Sequence, residues 1–225
     1  MRLEEVVPWG RTLAEYQSMF DLSNIEPSMQ ILGCGDGPAS FNAELTQQGY
    51  NVVSVDPIYQ FSADQIKQRV YQNYDLIISQ VKANPDKYTW KSFRDADELG
   101  ASRLRAMEIF LADYEIGKQE NRYQKQELPH LEFMDRQFDL CLCSHLLFLY
   151  SEQLSLEFHL SAIQEMLRIA PRVQIFPVLQ LDGQISPYLE TAIAYFSTRN
   201  VAVEMQTVDY EVQKGGNQLL KLTQN

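Results

Sequence analysis

The feature that most constrains this chain is a short apolar run ending in three glycines at alternate positions, Met29-Gln-Ile-Leu-Gly33-Cys-Gly35-Asp-Gly37-Pro38. Glycine reaches backbone conformations closed to other residues and puts no Cβ between the chain and a ligand. Pro38 suits the first turn of a helix, where a missing N–H costs nothing. The spacing of Phe41 and Leu45 predicts a helix over residues 39–48, stopped by Gly49. Residues 50–56, Tyr-Asn-Val-Val-Ser-Val-Asp, then form a buried strand ending in an acid. Strand, glycine loop, helix, strand and terminal Asp56 make one βαβ unit. In such a unit the glycine loop lies at the carboxyl edge of a parallel sheet.

Beyond this unit the rhythm changes. Ser62-Ala-Asp-Gln65 is a capping-box pattern, followed by Ile66, Val70, Tyr74, Ile77 and Val81 at helical spacing. Asn84-Pro85 ends that helix. Asp95-Ala-Asp-Glu98 opens another, with Leu104, Met107, Leu111 and Tyr114 on one face. One crossover needs one helix, so residues 57–121 read as a helical cap inserted into a single domain that spans 1–225. From Arg122 the α/β alternation resumes. Residues 123–127, 138–144 and 173–177 are strands, and Leu156, Leu160, Ile163 and Leu167 mark a helix. Ser186-Pro187 reads as an N-cap and first-turn proline of a further helix. Residues 201–208 and 218–222, joined through Lys214-Gly-Gly-Asn217, read as an antiparallel pair. The fold class expected is α/β: a Rossmann-like, seven-stranded, mostly parallel sheet with an antiparallel last strand and a helical cap insertion.

Two cofactor classes use a glycine loop followed by a strand-terminal acid. Dinucleotide binders favour G-x-G-x-x-G, but here the sixth place is Pro38 and the third glycine, Gly37, comes one position early. G-x-G-x-G suits S-adenosylmethionine, which has no pyrophosphate to cradle. With these residues in order, together with Leu131-Glu-Phe133 and the strand Phe138-Asp-Leu-Cys-Leu-Cys-Ser-His145, the chain resembles class I S-adenosylmethionine-dependent methyltransferases. The resemblance covers roughly residues 29–60 and 122–222. It implies that Gly33, Cys34, Gly35 and Gly37 line the cofactor and that Asp56 holds its ribose. Pro57 and Ile58 are then expected against the adenine, with Glu127 and Leu128 near its amino group. Ser144 and His145 are expected to face the methyl group. Ile31 stands where the family often carries an acid, so Asp36 or an N-terminal residue is the expected substitute in holding the methionine ammonium.

Methyl transfer from a sulfonium needs alignment more than activation, and a base only when the acceptor must lose a proton. His145, at a strand's carboxyl end, is the candidate catalytic base, with a site-lining role as its alternative. His159 reads as a surface or packing residue on a helix. Trp9-Gly-Arg11 with Glu15-Tyr16 precedes the first strand, and there Arg11 or Tyr16 is a candidate for the cofactor carboxylate. Tyr150 and Glu152 are weighed between acceptor contact and simple packing. Arg103 and Arg105, with Tyr114 and Glu115, are candidates to bind an acidic acceptor, with a solvated helix face as the favoured reading. The aromatic residues of the cap (Tyr71, Tyr74, Tyr88, Trp90, Phe93, Phe110, Tyr114) suit a flat or apolar acceptor, or simply pack.

The formal charge of −11 opposes phosphate backbones, so nucleic acid is not an expected partner. A small-molecule acceptor is favoured and a protein acceptor comes second. Oligomeric state is not legible. The three cysteines, Cys34, Cys141 and Cys143, fit neither a disulfide framework nor a metal-binding spacing. No metal is expected, and reduced thiols point to the cytoplasm. The start, Met1-Arg-Leu-Glu-Glu-Val-Val-Pro8, is acidic and lacks the apolar core of a signal peptide. The most apolar run, residues 140–150, is too short to span a bilayer, so no membrane association is expected. Two rival readings stay open: a non-catalytic S-adenosylmethionine-binding module and a nicotinamide-dependent oxidoreductase.

Overall fold

The central strands β1 (Gln30–Cys34) and β4 (Leu140–Ser144) are buried on both faces, and a parallel sheet covered by helices accounts for their unbroken apolar runs. In this computed structural model residues 6–224 are described. Residues 1–5, which carry most of the start judged not to be a signal peptide, lie outside them. β1 pairs with β2 (Asn51–Val55) on one side and β4 on the other, both parallel. β2 pairs with a two-residue β3 (Tyr123–Gln124), and β4 with β5 (Arg172–Phe176). The sheet is completed by β6 (Val201–Thr207) and β7 (Gln218–Gln224), in the order β3-β2-β1-β4-β5-β7-β6. β7 runs antiparallel to both β5 and β6, so β6 keeps the direction of the first five strands. This is the expected Rossmann-like α/β sheet.

Strand order reverses between β1 and β4, because the chain runs outward through β2 and β3 before crossing back. Open α/β sheets bind ligands at such a switch point, outside the carboxyl ends of the strands. Here those ends are the glycine loop after Cys34 and the segment after Ser144, held side by side by the pairing of Cys34 with Cys143.

Six α-helices surround the sheet among the described residues: α1 (Leu13–Met19), α2 (Phe41–Gln47), α3 (Ala63–Ala83), α4 (Ala96–Gln119), α5 (Leu156–Ile169) and α6 (Leu189–Ser197), with short 3₁₀ turns at Pro57–Gln60 and Pro85–Lys87. Ser62 and Gln65 close the capping box of α3, and the Asp95 side chain caps α4. Within the stretch 57–121, α4 packs on α2 and β3, the position of an ordinary crossover helix. α3 lies on α4 instead and sends Ile77 and Val81 toward the carboxyl edge of the sheet, where they pack with Tyr88, Leu149 and Tyr150. Two of the seven cap aromatics, Phe110 and Tyr114, are structural, wholly buried against Tyr59 and Tyr123, whereas Tyr71 is exposed and Tyr88 lines the cavity.

Three local expectations are corrected. α2 starts at Phe41, so Pro38 precedes the helix rather than occupying its first turn. The reason is tertiary: the Ser40 N–H is bonded to the Arg11 carbonyl, outside the helix. α6 starts at Leu189, because the Ser186 hydroxyl is buried against Ser151 and accepts the Tyr188 N–H in a turn ahead of the helix. β6 and β7 are antiparallel, but the connection is the long loop 208–217, which carries Tyr210 and Val212 back toward the carboxyl edge. No helix among the described residues is long and apolar enough to cross a membrane.

Truncating Phe110 would open a cavity beneath three aromatic rings, those of Tyr59, Tyr114 and Tyr123. Phe110→Ala is expected to lose about 3–5 kcal/mol of unfolding free energy in urea denaturation.

Candidate active site

A cavity of about 520 Å³ opens at the switch point. It is bounded by the glycine loop, the ends of β2 and β4, the N-terminal segment, α3 and the β6–β7 loop. Gly35 and Gly37 line it in left-handed conformations, φ +68° and +52°, which side chains rarely tolerate. A Cβ on Gly35 would also stand 2.6 Å from a Leu146 methyl.

Two carboxylates fasten this loop. Asp56 accepts the Gly37 N–H at 2.9 Å on one oxygen and the Ile58 N–H at 2.8 Å on the other. Asp36 accepts hydroxyl bonds from Tyr16 at 2.8 Å and Ser54 at 2.6 Å. Burial raises both carboxyls to about 6, against the pull of those hydrogen bonds. Asp36 and Asp56 are then mostly ionised at neutral pH and protonate just below it.

Above the loop lies a buried ionic cluster. Arg103, from α4, reaches both oxygens of Glu15 at 2.5 Å and donates to the Tyr210 hydroxyl at 3.1 Å. Tyr210 in turn donates to Glu15 at 2.8 Å. Burial alone would raise the Glu15 carboxyl, but Arg103 and then Arg11 hold it at about 2. Burial and the nearby Arg103 lower the Arg11 guanidinium. Among the described residues Arg11 donates to the Trp9 carbonyl at 3.0 Å, and its Nε has no hydrogen-bond partner. Its charge is therefore not matched by a carboxylate of its own.

At the end of β4, His145 has φ +55° and donates its backbone N–H to the Phe176 carbonyl. Its Nδ1 shares a 2.9 Å hydrogen bond with Ser144 Oγ. Burial, with Arg11 and Arg103 nearby, pushes the imidazole well below its ordinary value, so it is neutral at pH 7.

The structure therefore brings Arg11, Tyr16, Gly35, Gly37, Asp56, Pro57, Ile58, Glu127, Leu128, Ser144 and His145 to one cavity wall. Gly33 and Cys34 are not part of it, against the expectation. A Cβ on Gly33 would sit 1.8 Å from Asp36 Oδ2, so that glycine makes room for the Asp36 carboxylate. Cys34 is wholly buried in the sheet, its sulfur 3.5 Å from that of Cys141. Arg103 is not on a solvated face; it is 2% exposed. The Tyr114 hydroxyl is spent on the Tyr59 and Phe61 carbonyls. Tyr150 lines the cavity and accepts the Val7 N–H, whereas Glu152 is exposed. His159 is a packing residue: its Nε2 accepts the Phe148 N–H at 2.9 Å, and burial keeps it neutral. Tyr210, Val212 and Leu181 also line the cavity, and no local pattern marked them. Among the described residues no cluster of three or more His, Cys, Asp and Glu side chains has a metal-holding arrangement.

The chain belongs to the same family as the uncharacterized protein MJ0045 of Methanocaldococcus jannaschii, with 32% identity over 221 residues, 98% of this chain and 97% of that protein. No family model matches it. Among solved structures it is similar to the magnesium protoporphyrin IX methyltransferase of Synechocystis PCC 6803 with bound SAM. That match has 12% identity, covers 95% of this chain and 74% of that one, and has a TM-score of 0.47. A SAM-dependent methyltransferase of Methanosarcina mazei matches at 11% identity, over 91% of this chain and 99% of that one, with a TM-score of 0.47.

Because the folded-state Asp36 carboxyl is raised to about 6, it contributes stability below its unfolded value of 3.8 and loses it as the pH rises through 6. Asp36→Asn is isosteric and carries no charge; its amide oxygen accepts from one hydroxyl and its NH2 faces the other, which must turn to accept. Its unfolding free energy relative to the parent chain is expected to increase from pH 4 to pH 7, measured by urea denaturation at each pH.

Proposed function

We propose that this chain binds S-adenosylmethionine in the switch-point cavity and is a methyltransferase acting on a small-molecule acceptor. The observation that carries the proposal is the disposition of Asp56. Each of its oxygens already accepts one loop N–H. A carboxylate offers about four lone-pair sites, which leaves two for the vicinal hydroxyls of a ribose. Pro57, Ile58 and Leu128 offer apolar surface to a flat base, and Glu127 at the rim offers an acceptor to an exocyclic amine.

Arg11 suits the methionine carboxylate, since its guanidinium has spare donors and a charged hydrogen bond is the strongest the site can make. Tyr16 is less available, its hydroxyl being committed to Asp36. Asp36, ionised at neutral pH, supplies the counter-charge for an ammonium. Ile31, wholly buried in β1, has no part in that. The cofactor supplies a methyl group already activated on a sulfonium. The chain's share is to align that methyl with the acceptor and to keep water out. His145, neutral and hydrogen-bonded to Ser144, is placed to accept or orient the acceptor's proton. The same cavity favours a small acceptor over a protein, and the net charge of −11 disfavours nucleic acid. Three free, buried cysteines accord with a cytoplasmic setting.

Calorimetric titration with S-adenosylmethionine tests the reading. Binding in the micromolar range is expected. Asp56→Ala, with an unchanged circular dichroism spectrum, is expected to weaken it by about 1.5–3 kcal/mol, roughly ten- to hundredfold. Equal affinity in the folded variant would refute the ribose role.

A further inference from the structure

We infer that the acceptor is an uncharged molecule with an apolar body, seated in the part of the cavity roofed by α3. This inference rests on the cofactor reading above. Beyond Ser144 and His145 the cavity wall is made by Val7, Trp9, Ile77, Val81, Leu149 and Val212. These residues come from four separate places: the N-terminal segment, α3, the segment after β4, and the β6–β7 loop. They pack as one apolar cluster with Tyr88 and Leu99.

The charges around this chamber are already matched. Arg103 lies beneath it, ion-paired to Glu15, bonded to Tyr210 and set over the Phe93 ring. Asp56 and Glu127 lie at the nucleoside end. Arg69 sits in the half of α3 nearer Asp56 and has a partner in the protein. Arg11 and Asp36 match the two ends of a methionine zwitterion. With the cofactor in place, no unmatched charge remains among the described residues of the chamber wall to receive an ionised acceptor. An ion desolvated against Val81 and Leu149 would have nothing to compensate it. The polar groups left facing the chamber are neutral: the His145 imidazole and the Gln213 amide. They suit a hydroxyl, thiol or neutral amine on an otherwise apolar molecule.

The test uses the full chain saturated with S-adenosylhomocysteine and two probes of one shape, 2-naphthol and naphthalene-2-carboxylate, followed by calorimetry. 2-Naphthol is expected to bind at least tenfold more tightly than the carboxylate. Val212→Trp, which fills the chamber from its loop side, is expected to weaken naphthol at least tenfold and leave S-adenosylhomocysteine binding unchanged. Val7→Trp repeats the test from the opposite wall should the first variant fail to fold. Binding of S-adenosylhomocysteine with the carboxylate equal to or tighter than naphthol would overturn the inference and leave the cofactor reading standing. So would naphthol affinity unmoved by either tryptophan, or no naphthol binding at all. Failure of S-adenosylhomocysteine itself to bind would remove the cofactor reading and this inference with it.

Discussion

Two carboxylates, the buried Asp36 and the half-buried Asp56, hold the glycine loop, and the rest of the site is arranged around that fastening. Asp56 ties the loop to the end of β2 through the Gly37 N–H, and Asp36 ties it to α1 and β2 through Tyr16 and Ser54. Both carboxyls are raised by burial to about 6, so the protein keeps them at a cost in stability. Carboxyls raised by burial and lining a cleft mark a candidate functional site. The loop conformation they hold is left-handed at positions 35 and 37, which favours glycine there.

The helices of residues 57–121 extend this arrangement. α4 takes the crossover position beside β3, and Arg103 on it reaches across to Glu15 and Tyr210. One ionic cluster therefore joins the N-terminal helix, the insertion and the last loop above the carboxyl edge of the sheet. Removing one partner from such a cluster leaves a charge buried and unpaired, which is far more costly than losing an exposed pair. α3, lying outside α4, closes the apolar chamber and gives the cavity its second half.

What was legible in the sequence was local. The βαβ unit around Gly33–Asp56, the caps of α3 and α4, and the antiparallel direction of β7 all follow from spacing and turn chemistry within a few dozen residues. What was not legible depends on partners far away in the chain. Arg103 has the helical spacing of a surface residue, and only Glu15, 88 positions earlier, makes it a buried one. Gly33 and Cys34 fit a ligand-lining motif, yet Asp36 folds over the first and Cys141 packs on the second. Ser186-Pro187 has the pattern of a helix start, but the contact with Ser151 diverts the serine. Tyr210 and Val212 reach the cavity from a loop whose sequence carries no ligand signature.

The central claim is that the switch-point cavity holds a cofactor whose ribose sits on Asp56 and whose carboxylate sits on Arg11. The most direct measurement is a crystal structure of the chain grown with S-adenosylhomocysteine. The account predicts both ribose hydroxyls within hydrogen-bond distance of the Asp56 carboxylate, the amino-acid carboxylate on Arg11, and the thioether facing Ser144 and His145. A nucleoside bound elsewhere, or bound here with its ribose turned away from Asp56, would contradict it.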